Sequence, residues 1–163
     1  MTKRVLVVCT GNICRSPMTY GLLQAKIAEE GLQSTIRVET AGTYALEGEP
    51  PSLYAQKVLA ERGIDISHHR ARQITAQMIK EADLIIVMTD AHRRSILYTL
   101  PEAATKVVLL SELAGEHKDI TDPYGHPYEM YVATAALLET YINRGWPRLL
   151  KRLGLSEKQK PAH

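Results

Sequence analysis

Apolar residues along this chain come in short unbroken blocks and in longer stripes, and the two alternate. Residues 4–9 (RVLVVC) carry a continuous apolar run, as a strand buried on both faces does. The run stops at Thr10-Gly11-Asn12. Pro17 suits the first turn of a helix, and Met18, Leu22, Leu23, Ala25 and Ile27 supply an apolar stripe to about Glu30, with Gly31 as stop. Residues 35–40 predict a second strand, Glu47-Gly48-Glu49-Pro50-Pro51 a loop, and residues 53–62 a helix closed by Gly63. A short helix over 75–80, a fully apolar strand over 83–88 and a helix capped by Asp90 to about Tyr98 follow. Residues 106–110 predict a fourth strand, 119–127 a polar, turn-rich loop, and 128 to about 152 a long closing helix.

Strands alternating with helices imply an α/β fold, a parallel sheet covered on both faces as a three-layer α/β/α sandwich. Such sheets place ligands at the carboxyl ends of their strands, where Cys9 emerges. The length of 163 residues suits one domain, taken here as 1–155, and the polar tail 156–163, ending KQKPAH, is expected to be disordered.

Composition narrows the partners. A hydrophobic share of 45% with mixed charges reads as a globular chain. A net charge of +2 is too small to propose nucleic acid or a membrane surface. Lys3-Arg4 opens like a secretory signal, but the apolar run after it ends within about five residues, too few for one. The chain's 2 cysteines, Cys9 and Cys14, form no disulfide framework, so the cytoplasm is the expected compartment.

Both cysteines fall in CTGNICRSP, and there the chemistry concentrates. With Cys9 ending a strand and Ser16-Pro17 opening a helix, the loop between them turns backbone N–H groups inward at the positive end of the helix dipole. That arrangement is an anion cradle. Gly11 permits a tight turn, and Asn12 tolerates a left-handed backbone. Arg15 adds a planar charged fork suited to two phosphate oxygens. Such a field favours the thiolate of Cys9, which can attack phosphorus and form a phosphocysteine. Other readings of the loop fail on residues: there is no Gly-Lys-Ser/Thr, no G-x-G-x-x-G, and no second ligand pair spaced for zinc. No metal and no cofactor are called for.

A phosphocysteine route also needs an acid for the leaving group and a base for water. Asp122, in ITDPYGHP, follows the last strand on the edge where Cys9 emerges. Asp119 is a rival without the fixing proline and aromatic neighbour, and Tyr124 is placed to wall the cleft and stack on an aryl ring. A non-catalytic phosphate- or sulfate-binding module is the competing class, and it would need the cradle but no acid.

Cys9 to Pro17 together with Asp122-Pro123-Tyr124 resemble the low-molecular-weight protein tyrosine phosphatases, and the similarity runs from Val5 to about Leu150. Thr40-Ala41-Gly42-Thr43, Gly63-Ile64-Asp65-Ile66-Ser67 and His69-Arg70-Ala71-Arg72-Gln73 are further landmarks. The resemblance implies a metal-free enzyme with a Rossmann-like phosphotyrosine phosphatase I fold and strand order 2-1-3-4. By that likeness Cys9 is the nucleophile, Arg15 the phosphate clamp and Asp122 the general acid, then base. Thr10, Gly11, Asn12, Ile13 and Cys14 border the substrate. Ser16 donates to the thiolate, and Asn12 is pinned by a network with Thr40, where the family usually has serine, and His69. The likeness also implies a protective disulfide between Cys9 and Cys14 under peroxide. Partners would be phosphorylated proteins or peptides, with phosphate or sulfate as inhibitors.

The family includes arsenate reductases, which need relay cysteines that do not follow Cys14 here, and protein-arginine phosphatases. The arginine branch usually has threonine where this chain has Ile13, whose apolar side chain suits an aryl ring and offers nothing to a guanidinium. Phosphotyrosine is therefore the expected substrate, with phosphoarginine as the alternative, since Val8-Cys9-Thr10-Gly11-Asn12, Arg15-Ser16-Pro17-Met18 and Ala82-Asp83-Leu84 running into Val87-Met88-Thr89 resemble the arginine branch. Family members often carry an aromatic where this chain has Ala45, so either Tyr44 swings in as the wall or the cleft is more open and less selective.

Overall fold

A computed structural model describes residues 2–155. Strands β1 (Lys3–Cys9), β2 (Ile36–Gly42), β3 (Leu84–Val87) and β4 (Val107–Leu109) form one parallel sheet in the order β2-β1-β3-β4. The α/β architecture and the strand order are those expected. The tail expected to be disordered lies outside the described residues.

Alternation along β1 divides the interior in two. Val5, Val7 and Cys9 face a core built with α1 (Arg15–Glu29), α2 (Leu53–Ala60), α5 (Leu110–Leu113) and α6 (Tyr128–Arg152). Leu6 and Val8 face a smaller core closed by Ile79 of α3 (Ala76–Glu81) and Ile96 of α4 (Asp90–Thr99). The long helix α6 buries Tyr131, Ala135, Leu138, Ile142, Trp146 and Leu149, one stripe at helical spacing. No helix among the described residues is long and apolar enough to cross a membrane.

Local differences from the expected elements have physical causes. Strand β2 runs on to Gly42 because its whole length pairs with β1, ending at Cys9 opposite Gly42. Thr89, rather than Asp90, caps α4: its hydroxyl accepts the His92 N–H at 3.3 Å while His92 Nδ1 accepts the Thr89 N–H at 3.2 Å. Asp90 becomes the first helical residue. The 3-10 segment Pro101–Lys106 and the single turn α5 carry too few residues for a periodic signal.

Candidate active site

The loop from Thr10 to Cys14 is shaped by where its carbonyls go. Those of Cys9, Thr10, Gly11 and Ile13 accept backbone N–H groups of Thr43, Tyr44, Leu46 and Ser52 at 2.9 to 3.1 Å. A trans peptide points its N–H opposite its C=O, and the described residues contain no cis bond. The N–H groups of Thr10, Gly11, Asn12 and Cys14 are thereby left on the concave side. Helix α1 begins at once with Arg15, and its N-cap, Cys14, makes no side-chain cap. Its first turn contains no acid, so its N–H groups and dipole add to the same positive field. The left-handed residue is Asn12, at φ 62°, rather than Gly11. The glycine that close approach does require is Gly42, where a Cβ would lie 2.4 Å from the Thr10 carbonyl oxygen.

Asn12, fully buried, holds that shape from within. Its Oδ1 accepts the Arg72 N–H at 2.9 Å, and its Nδ2 donates to Ser16 Oγ at 2.7 Å with His69 Nε2 at 3.5 Å. Ser16 Oγ, accepting from Asn12, has its proton free for Cys9 Sγ at 3.0 Å. His69 Nε2 also meets Thr40 Oγ1 at 2.7 Å. Burial, and then the nearby His68, Arg72 and Arg70, push the His69 pKa down to about 4, so the ring is neutral. Ser16, Asn12, Thr40 and His69 are thus brought together as one network.

Arg15 is 4% exposed. Its Nη1 donates to the Ile120 carbonyl at 2.8 Å, its Nη2 reaches Thr10 Oγ1 at 3.3 Å and Asp122 Oδ2 at 3.6 Å, and its Nε is buried without a hydrogen-bond partner. A buried guanidinium with an unspent donor fits an oxyanion site. Asp122 is half-exposed at the mouth, with Oδ1 accepting the Tyr124 N–H at 3.1 Å. Asp119 is engaged elsewhere, accepting the Asp90 N–H at 2.9 Å at the start of α4.

These groups enclose a cavity of about 170 Å³ lined by Cys9, Thr10, Gly11, Ile13, Cys14, Arg15, Leu46, Asp122 and Tyr124. Tyr44 is not among them; it is 80% exposed, and Leu46 takes the place expected for it. The cause is Gln73, whose side chain accepts the Ala45 N–H and donates to the Thr43 carbonyl, both at 2.8 Å, and so sets the path of this segment. Tyr124 lines the mouth. Cys14 is a free thiol beside Ser52 Oγ (3.3 Å) and Tyr131 Oη (3.5 Å), and burial pushes its pKa up. Cys9 is likewise free.

Sequence reasoning missed Leu46 and His92. His92 Nε2 lies 2.8 Å from Thr10 Oγ1, a contact between residues 82 positions apart. The spacing Thr89-x-x-His92 after an apolar strand was the available signal, since it places the ring over the strand's end. A larger cleft of about 670 Å³ lies behind the loop and shares Thr40 and His69, but neither cysteine lines it. Among the described residues no group of three or more His, Cys, Asp or Glu is arranged to hold a metal ion.

Residues 4–157 match the family described as low molecular weight phosphotyrosine protein phosphatase. A protein-arginine-phosphatase of Geobacillus stearothermophilus is 40% identical over 145 residues, 88% of this chain and 94% of that one. A low molecular weight protein tyrosine phosphatase from T. tengcongensis superposes with a TM-score of 0.84 at 42% identity, covering 93% of this chain and 100% of its own. The tyrosine phosphatase Wzb from Escherichia coli K30, solved in complex with sulphate, gives 0.81 at 32% identity over 91% of this chain and 99% of its own.

Proposed function

The chain belongs to the low molecular weight phosphotyrosine protein phosphatases, and from that premise we propose that it hydrolyses phosphotyrosine in proteins or peptides, and aryl phosphates generally, through a phosphocysteine. Cys9 Sγ attacks phosphorus as the ester oxygen leaves with a proton from Asp122. Arg15 and the inward N–H groups hold the equatorial oxygens. Asp122 then takes a proton from water, the water attacks phosphorus, and the Cys9 thiolate departs, eased by the hydrogen bond from Ser16. Phosphate and sulfate fit the same cradle as inhibitors, in keeping with the sulphate complex of the Wzb relative. The compartment proposed is the cytoplasm, because 2 cysteines separated by four residues make no disulfide framework.

One observation carries the substrate. Ile13, Leu46 and Tyr124 wall the cavity above Cys9 with apolar surface, and Asp122 is its only carboxylate among the described residues. An aryl ring matches that wall. Phosphoarginine is the second reading, favoured by the similarity to the Geobacillus protein.

Side-by-side kinetics on phosphotyrosine and phosphoarginine peptides test the choice. Wild type is expected to prefer phosphotyrosine, and Ile13→Thr to shift kcat/KM toward phosphoarginine by about tenfold. Equal preference in both proteins removes Ile13 from the account. Cys9→Ser is expected to abolish turnover while still binding vanadate, and hydrolysis surviving that change would refute the mechanism.

A further inference from the structure

We infer that His92 is a positioning residue that fixes the Thr10 hydroxyl as a donor toward the oxyanion in the loop. The inference rests on the phosphatase reading and adds a side-chain donor to the cradle, set from the first turn of α4.

Hydrogen-bond partners fix which nitrogen of His92 carries the proton. His92 is 4% exposed at the start of α4. Its Nδ1 faces the Thr89 backbone N–H at 3.2 Å, and a peptide N–H only donates, so Nδ1 presents its lone pair. The Thr89 hydroxyl, 3.1 Å from the same nitrogen, fits this assignment. Burial, then Arg15, push the His92 pKa down to about 4 against the opposing pull of Asp119 and Asp122, so one ring proton remains at neutral pH. That proton sits on Nε2 and is donated to Thr10 Oγ1 at 2.8 Å.

Arg15 Nη2, which can only donate, gives a second hydrogen bond to the same Oγ1 at 3.3 Å. A threonine hydroxyl has two lone pairs and one proton. His92 and Arg15 take both lone pairs, so the O–H must be given away. Thr10 is exposed and lines the cavity with Cys9, Arg15 and Asp122. The same Nη2 faces Asp122 Oδ2 at 3.6 Å, so this end of the guanidinium reaches the carboxylate at the cavity mouth. A phosphoryl oxygen clamped by Arg15 takes the proton in the loaded enzyme. Without His92 the hydroxyl could rotate and offer a lone pair instead, which would repel that oxygen.

Vanadate affinity measured by calorimetry tests this without needing turnover. Thr10→Val is expected to weaken it about ten- to hundredfold, and Thr10→Ser to restore most of the loss. His92→Asn keeps an acceptor for the Thr89 N–H but does not reach Thr10, and is expected to weaken vanadate by several-fold, about three or more. The double variant Thr10→Val/His92→Asn should match Thr10→Val within about twofold. Unchanged vanadate affinity in Thr10→Val, or a His92→Asn loss fully additive to it, overturns the proposal. Ring 15N NMR of the wild type needs no variant: a protonated Nε2 and bare Nδ1 are expected, and a protonated Nδ1 overturns it. Failure of wild type to hydrolyse p-nitrophenyl phosphate would sink the phosphatase reading instead, leaving the tautomer and the vanadate cycle to judge His92.

Discussion

Asp122 is held by little besides its own loop, with Tyr124 N–H on one oxygen and the Arg15 guanidinium near the other. An acid so placed is needed in proportion to how basic the departing oxygen is. Asp122→Ala is therefore expected to lower kcat/KM, which reports the step that releases the ester oxygen, by about a hundredfold or more on phenyl phosphate and by much less on p-nitrophenyl phosphate. Equal losses in kcat/KM on the two substrates would remove Asp122 from protonation of the leaving group. Cys9 and Arg15 could be singled out in the sequence because one short loop joins them, whereas the role of Ser16, 3.0 Å from Cys9 Sγ, came with the family resemblance. Asp122 was singled out by its place after the last strand, on the edge where Cys9 emerges, since an Asp-Pro turn alone reads as structural. Tyr44 was misplaced and Leu46 overlooked because that segment's path is set by Gln73, about thirty residues away, which no local pattern records.

Between helices, close approach decides which positions tolerate added volume. On α6 a Cβ at Gly145 would lie 2.7 Å from Leu113 Cβ and 3.1 Å from the Leu113 carbonyl oxygen, with backbone unable to give way. Gly145→Ala is expected to cost about 1–3 kcal/mol, read as a lower urea midpoint, while the folded fraction keeps its kcat/KM. Gly42→Ala makes a similar collision, but with Thr10 and Asn12, and is expected to lose oxyanion binding together with stability. A Gly42→Ala enzyme with normal vanadate affinity would show that the loop can absorb the shift. Element types were readable wherever an apolar run or stripe was long enough, as in the unbroken run of β1 and the helical stripe of α1. The cap of α4 was displaced by one residue because Thr89 and Asp90 are both good caps, and the His92 ring settles the choice by answering the Thr89 N–H.

Across the whole molecule, the parallel sheet followed from the alternation of elements, whereas the order β2-β1-β3-β4 came only with the family resemblance. That order puts β1 between β2 and β3, so the loop after Cys9 is braced from both sides. One brace is His69, reached through Asn12; the other is His92, reached through Thr10. Both rings are neutral, their pKa values lowered from 6.5 to about 4. Between those values the unfolded chain binds protons that the folded chain refuses, so acid favours unfolding. The stability the two neutral rings contribute is complete above about pH 6.5 and is lost as pH falls toward 4. His117 acts in the opposite sense, its pKa raised by hydrogen bonds to Asp90 and Glu112, but it lies at the surface where solvent screens it. Asp65, lowered by its hydrogen bonds from Ser67, yields in a more acid window and is fully exposed. The urea midpoint is accordingly expected to fall steadily from pH 6.5 to 4. His92→Asn, which keeps the cap and removes one titrating ring, should make that fall shallower. A midpoint that is flat or rises on acidification would mean that the rings are not held neutral, and the Nε2 proton that orients Thr10 would lose its basis.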